Sequence, residues 1–237
     1  MTFSMHWHLT ALSVAASIIS FVSSTDVMTQ ARVTVPAAVL AAAEASPVEL
    51  VMALANASVP AGLEIREPDD LLPAGWPTVN GQRPAWFNAN PTARIPASQM
   101  VNTFNRSQSD YRAVLIGEVV IIRPVRGSAA FLDQPSTISG RTTVLGAMAG
   151  ARRIFADLEP GLSGPVLNSF GRQGDDVPVV VDGRASTVID TLNQIVLQAS
   201  PRAWVVTTRQ EPQDVRIISF GFIERDGSRR IQRLLPR

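Results

Sequence analysis

Val177-Pro-Val-Val-Val-Asp182, followed by Ser186-Thr-Val-Ile-Asp-Thr-Leu-Asn-Gln-Ile-Val196 and then Ala203-Trp-Val-Val-Thr207, is where the fold of this chain is most legible. The outer pieces are short runs rich in β-branched residues, the composition of buried strands. Between them Val188, Leu192, Ile195, Val196 and Ala199 recur at helical spacing. Asp190 falls in the first turn of that helix, where the backbone dipole favours a negative charge. The order is strand, helix, strand.

The same order stands earlier in the chain. Arg32-Val-Thr-Val35 precedes a helical stretch and Gly62-Leu-Glu-Ile65 follows it. The helix opens at Ser46-Pro47-Val48: Ser46 is placed to cap, Pro47 suits the first helical position, and Glu49 stands where a capping box needs it. Val48, Met52, Ala55 and Val59 continue the pattern. Thr142-Thr143-Val144 begins in a similar way and predicts a further helix, with Gly146 and Gly150 four apart in it to permit close packing. One more strand region completes each half, at 111–123 with a turn at Gly117-Glu118, and at 215–222. Asp226-Gly227 marks a hairpin turn to a last strand at 230–234. The expected class is α+β: two related strand-helix-strand-strand modules, their helices packed on small mixed or antiparallel sheets. The first module covers 32–126 and the second 127–237.

An insertion at 67–110 interrupts the first module. It carries Pro68, Pro73, Pro77, Pro84, Pro91 and Pro96 with Trp76, Trp86, Phe87 and Phe104. Proline removes a backbone donor and fixes φ, so a loop is expected there, with no long helix. A second irregular stretch, 159–176, is rich in glycine.

Composition narrows the chemistry. The 237 residues include no cysteine and no lysine, and the only histidines are His6 and His8. Residues 9–22 form an uncharged run of the length of a signal-peptide core and too short to span a bilayer. Residues 1–31 are therefore read as a signal peptide and short tail, although their start lacks the usual Arg or Lys. The expected location is periplasmic or extracellular, in a bacterium whose GC-rich genome favours arginine over lysine. A chain without that leader has no thiol, imidazole or amine. It cannot assemble Ser–His, Cys–His or Ser–Lys pairs, a Cys/His zinc site or a lysine phosphate loop. No cofactor is expected. The formal charge of +1 provides no general attraction to nucleic acid, and none is expected as partner.

What remains are carboxylates, aromatics and arginines. The close carboxylate pairs are Asp69-Asp70, Asp157 with Glu159, and Asp175-Asp176, each beside proline or glycine where turn use is usual. Trp76, Trp86 and Phe87 on the proline-rich loop either stack on a ligand or fold the loop onto its own domain. Trp204, within an apolar strand, is expected in the core, and Tyr111 is expected to open a strand. Arg225, Arg229, Arg230 and Arg233 crowd the last hairpin, where they either meet an anionic surface or solvate an edge strand.

Residues 177–220 resemble the short N-terminal domain of secretins and TonB-dependent receptors, on Val177-Pro-Val-Val-Val-Asp182, Ser186-Thr-Val-Ile-Asp-Thr-Leu192 and Trp204-Val-Val-Thr207; residues 33–65 echo it more faintly. No secretin core and no membrane barrel follows within these residues. The resemblance implies an envelope interaction domain without catalysis. The expected function is an exported module that binds a protein or envelope polymer, with self-association through a strand edge and no transmembrane span in the mature chain. The alternatives are a carboxylate-dependent glycan hydrolase, which needs two carboxylates facing each other across a cleft, and a purely structural envelope component.

Overall fold

Alternate residues of one strand, β2 (Ala61–Arg66), belong to two different cores. Ala61, Leu63 and Ile65 join one apolar cluster, whereas Gly62 and Glu64 face the other way, as the two-residue period of a strand dictates. Both faces of this strand are covered, so it reads as a nearly continuous buried run. The computed structural model describes residues 33–66, 93–158, 177–184, 186–199, 202–210, 216–223 and 229–234.

The main sheet has six strands in the order β10-β9-β8-β2-β5-β4. Here β4 is Tyr111–Ile116, β5 Val119–Pro124, β8 Ala203–Gln210, β9 Arg216–Ile223 and β10 Arg229–Leu234. The central strand β2 runs parallel to both neighbours, β5 and β8, and every other pairing in the sheet is antiparallel. Two short two-stranded sheets flank it. β1 (Thr34–Pro36) pairs with β3 (Arg94–Pro96), and β6 (Arg141–Leu145) pairs with β7 (Pro178–Asp182).

One face of the sheet is covered by α1 (Val39–Ala45), α2 (Pro47–Asn56) and α3 (Ala97–Ser107), which pack on Leu63, Ile65, Val120, Ile122 and Val205. The other is covered by a 3₁₀ turn at Ala130–Asp133, α4 (Ala147–Leu158), α5 (Val188–Gln198) and β7, over Val119, Ile121, Trp204 and Val206. The architecture is α+β. Strands from both halves of the sequence share the main sheet, since β2 of the first pairs along its full length with β8 of the second.

The helix starts follow local chemistry. Ser46 Oγ accepts from the Glu49 N–H at 3.0 Å, with Pro47 at the first position of α2. Thr187 and Asp190 form a complete capping box at α5. Gly117, at φ +57°, makes the turn between β4 and β5. Trp204 is fully buried and Tyr111 opens β4.

Two expectations are corrected. Thr142-Thr143-Val144 does not open a helix; it lies in β6, and α4 begins only after Gly146. Three consecutive β-branched side chains suit a strand, and Gly146 at φ +86° turns the chain from strand into helix. Gly150 does pack closely: a Cβ there would lie 3.0 Å from Ile195 Cδ1. The second correction concerns the insertion, which contains α3. Its proline series ends at Pro96, and the proline-free residues beyond form a helix that buries Ala97, Met100 and Phe104. Among the described residues no helix is long and apolar enough to cross a membrane.

Candidate functional site

Glu64 is a carboxylate inside an apolar strand, with no exposed surface. Its Oε2 accepts from Arg123 Nε at 2.7 Å, and its Oε1 accepts from the backbone N–H of Ala129. The same guanidinium donates through Nη1 to Asp133 Oδ1 at 2.6 Å and through Nη2 to Asp133 Oδ2 at 3.0 Å. Burial disfavours the Arg123 charge, but the hydrogen bonds it donates to Asp133 and Glu64 outweigh it and hold the pKa above its ordinary value. The guanidinium lies between the two carboxylates, so this trio clamps the 3₁₀ turn to the sheet. Among the described residues no cluster of three acidic or histidine side chains is placed to hold a metal ion.

The edges of the sheets are more informative about partners. In β4, Ala113 turns its backbone away from β5, and there it meets a side chain of α3. Asn105 Oδ1 accepts from the Ala113 N–H at 2.7 Å and Asn105 Nδ2 donates to its carbonyl at 2.9 Å. A side-chain amide has the donor and acceptor of a peptide group, so Asn105 stands in for one residue of a neighbouring strand. The device recurs on β7. Gln198 exchanges both bonds with Val180, at 3.0 and 2.7 Å, and Gln194 does so with Asp182, at 2.7 and 3.0 Å. These glutamines are one helical turn apart on α5, a spacing that matches alternate residues of the strand.

Among the described residues β6 has no such cover. Val180 and Asp182 face away from β6, so the residues opposite them, Thr143 and Arg141, must face away from β7. Neither backbone has a hydrogen-bond partner on that side among the described residues. Glycines with left-handed φ stand at both ends, Gly140 at +84° and Gly146 at +86°. The side chains of Arg141, Thr143 and Leu145 are all exposed, Leu145 to 64%. Across the strand pair, Asp182 is bound by Arg184 through Nε at 3.0 Å and Nη2 at 2.6 Å. Those bonds, with the nearby charge of Arg141, lower the Asp182 pKa to about 2. The open edge is thus bordered by fixed charges of both signs.

Few of the sequence-derived candidates fall within this geometry. Trp76, Trp86, Phe87, Arg225 and the pairs Asp69-Asp70 and Asp175-Asp176 lie outside the described residues. Arg229, Arg230 and Arg233 lie in β10, opposite Ile223, Phe222 and Ser219 of β9. Thr143, Asn105, Gln194, Gln198 and the Glu64–Arg123–Asp133 trio were not among the binding candidates drawn from the sequence. The lone charge in Gly62-Leu-Glu-Ile65 was a signal for the trio, and two glutamines four apart beside a strand were a signal for the β7 cover.

Compared with known protein families, curated proteins and solved structures, the chain matches none.

Proposed function

We propose that this chain is an exported, non-catalytic interaction module that takes an extended segment of a partner protein onto the open edge of β6. The observation that carries this reading is the contrast between edges. Asn105, Gln194 and Gln198 occupy outward-facing backbone groups on β4 and β7, while those of Arg141 and Thr143 on β6 meet no partner among the described residues. An open edge takes main-chain hydrogen bonds from an added strand, and the side chains beside it select the sequence. The likeness of residues 177–220 to secretin and TonB-dependent receptor N-terminal domains supports an envelope setting, as does the uncharged run at 9–22.

The test is Thr143→Pro. The N–H it removes points away from β7, so the β6–β7 ladder keeps its bonds, and proline is tolerated at such edge positions. The expected result is a folded chain with lost association. It would be read as sedimentation mass over a concentration series and as cross-links to envelope proteins in cells, against wild type. A folded Thr143→Pro chain that associates as before overturns the reading. Export is checked separately by the intact mass of the protein from fractionated cells. A start between residues 25 and 32 is expected, and an intact Met1 in the cytosol overturns it.

A further inference from the structure

Away from β6, along the outer side of β4, α3 and the strand enclose an open groove of about 640 Å³. Among the described residues its lining is Pro96, Ser98, Gln99, Asn102, Asn105, Arg106 and Arg112, with no carboxylate. Among the described residues Arg106 bonds only within its helix, donating to the Asn102 carbonyl at 3.3 Å and to Thr103 Oγ1 at 3.5 Å. Arg112 is exposed and has no partner among the described residues. One arginine of the helix and one of the strand thus line the same space, and no acidic residue among the described ones lines it with them. Beside them, Ser98, Gln99 and Asn102 offer neutral donors and acceptors along about one turn of α3.

We infer that this groove binds an acidic glycan, its carboxylates on Arg106 and Arg112 and its hydroxyls on Ser98, Gln99 and Asn102. Charge complementarity sets the sign of the ligand, because the described lining carries two cations and no acid. The neutral side chains set its class. A sugar hydroxyl both donates and accepts, and so do amides and serine. An acidic peptide fits less well on two counts. The strand edge it would pair with is held by Asn105 at Ala113, and among the described lining residues Pro96 alone is apolar. The site is separate from β6 and does not depend on strand addition there.

The experiment is calorimetric titration of the full chain with a galacturonate trimer, a neutral galactose trimer and a triglutamate peptide. The galacturonate trimer is expected to bind saturably and to weaken as salt is raised. The neutral trimer should bind at least about tenfold more weakly, as the loss of a charge-assisted hydrogen bond implies. Arg112→Gln should weaken galacturonate binding by about tenfold with an unchanged melting temperature, since this side chain is exposed and unpartnered. Arg106→Gln should do likewise, and Thr143→Pro should leave binding unchanged, which separates this site from the β6 edge. Absence of saturable galacturonate binding, or binding unaltered in both arginine variants, overturns the inference. Triglutamate binding as tightly as the galacturonate trimer also overturns it, and would make the groove a site for acidic peptide.

Discussion

At Gly62 the missing side chain is what gives Trp204 its place. The two residues are partners in the parallel β2–β8 register, and the indole lies across the glycine. A Cβ at Gly62 would stand 2.1 Å from Trp204 Cε2, a distance no packing tolerates. The indole cannot retreat without loss, because its N–H donates to Asn193 Oδ1 at 2.9 Å in a buried site. Gly62→Ala is therefore expected to destabilise the protein by about 3 kcal/mol, through overpacking and displacement of the ring. Urea unfolding followed by circular dichroism measures it, and a cost below about 1 kcal/mol would mean the ring relocates freely. The burial of Trp204 was legible in its apolar strand. Its seat on Gly62 was not, because the two lie far apart in the chain and only the pairing of β2 with β8 joins them. Ser46 with Glu49 was readable for the opposite reason, since a cap is made within four consecutive residues, and so was the first-turn place of Asp190.

At the scale of elements, helices here do more than cover sheet faces: they close strand edges with amide side chains. Asn105 is the clearest case, bonded to both backbone groups of the buried Ala113. Asn105→Ala should leave those groups unpaired at a cost of about 2 kcal/mol. It should also expose a stretch of β4 edge, seen as concentration-dependent self-association by light scattering. A variant as stable and as monodisperse as wild type would show that Asn105 does not guard this edge. Such closures leave faint marks in sequence, because an asparagine or glutamine on a helix is ordinary until the strand beside it is known. The misread stretch at Thr142-Thr143-Val144 has a related cause: a small hydroxyl residue before valine fits a helix start or a strand equally well. The pairing of those residues with Val179, Val180 and Val181 selects the strand. α3 was hidden by its neighbours, the prolines before Pro96 outweighing the amphipathic residues after it.

In the whole molecule, two layers of helix and turn share one sheet, and the sheet is assembled from both ends of the sequence. β2 has β5 on one side and β8 on the other, so neither half holds a complete sheet. Expressed alone, fragments 33–126 and 127–237 should each lack a cooperative thermal transition by circular dichroism. A sharp transition in either fragment would show that it folds independently. The α+β class was legible because each element carries its own period and caps. The shared sheet was not, because two separate small sheets and one joint sheet give the same order of elements along the chain. The parallel contact between β2 and β8 also has a consequence in time. During synthesis β2 is made well before its second neighbour, Ala203–Gln210. Until then the central strand has an open edge, and loop closure over so long a separation is slow. The main sheet therefore closes only after β8 has been made, and a chain halted before Ala203 leaves β2 unpaired on that side.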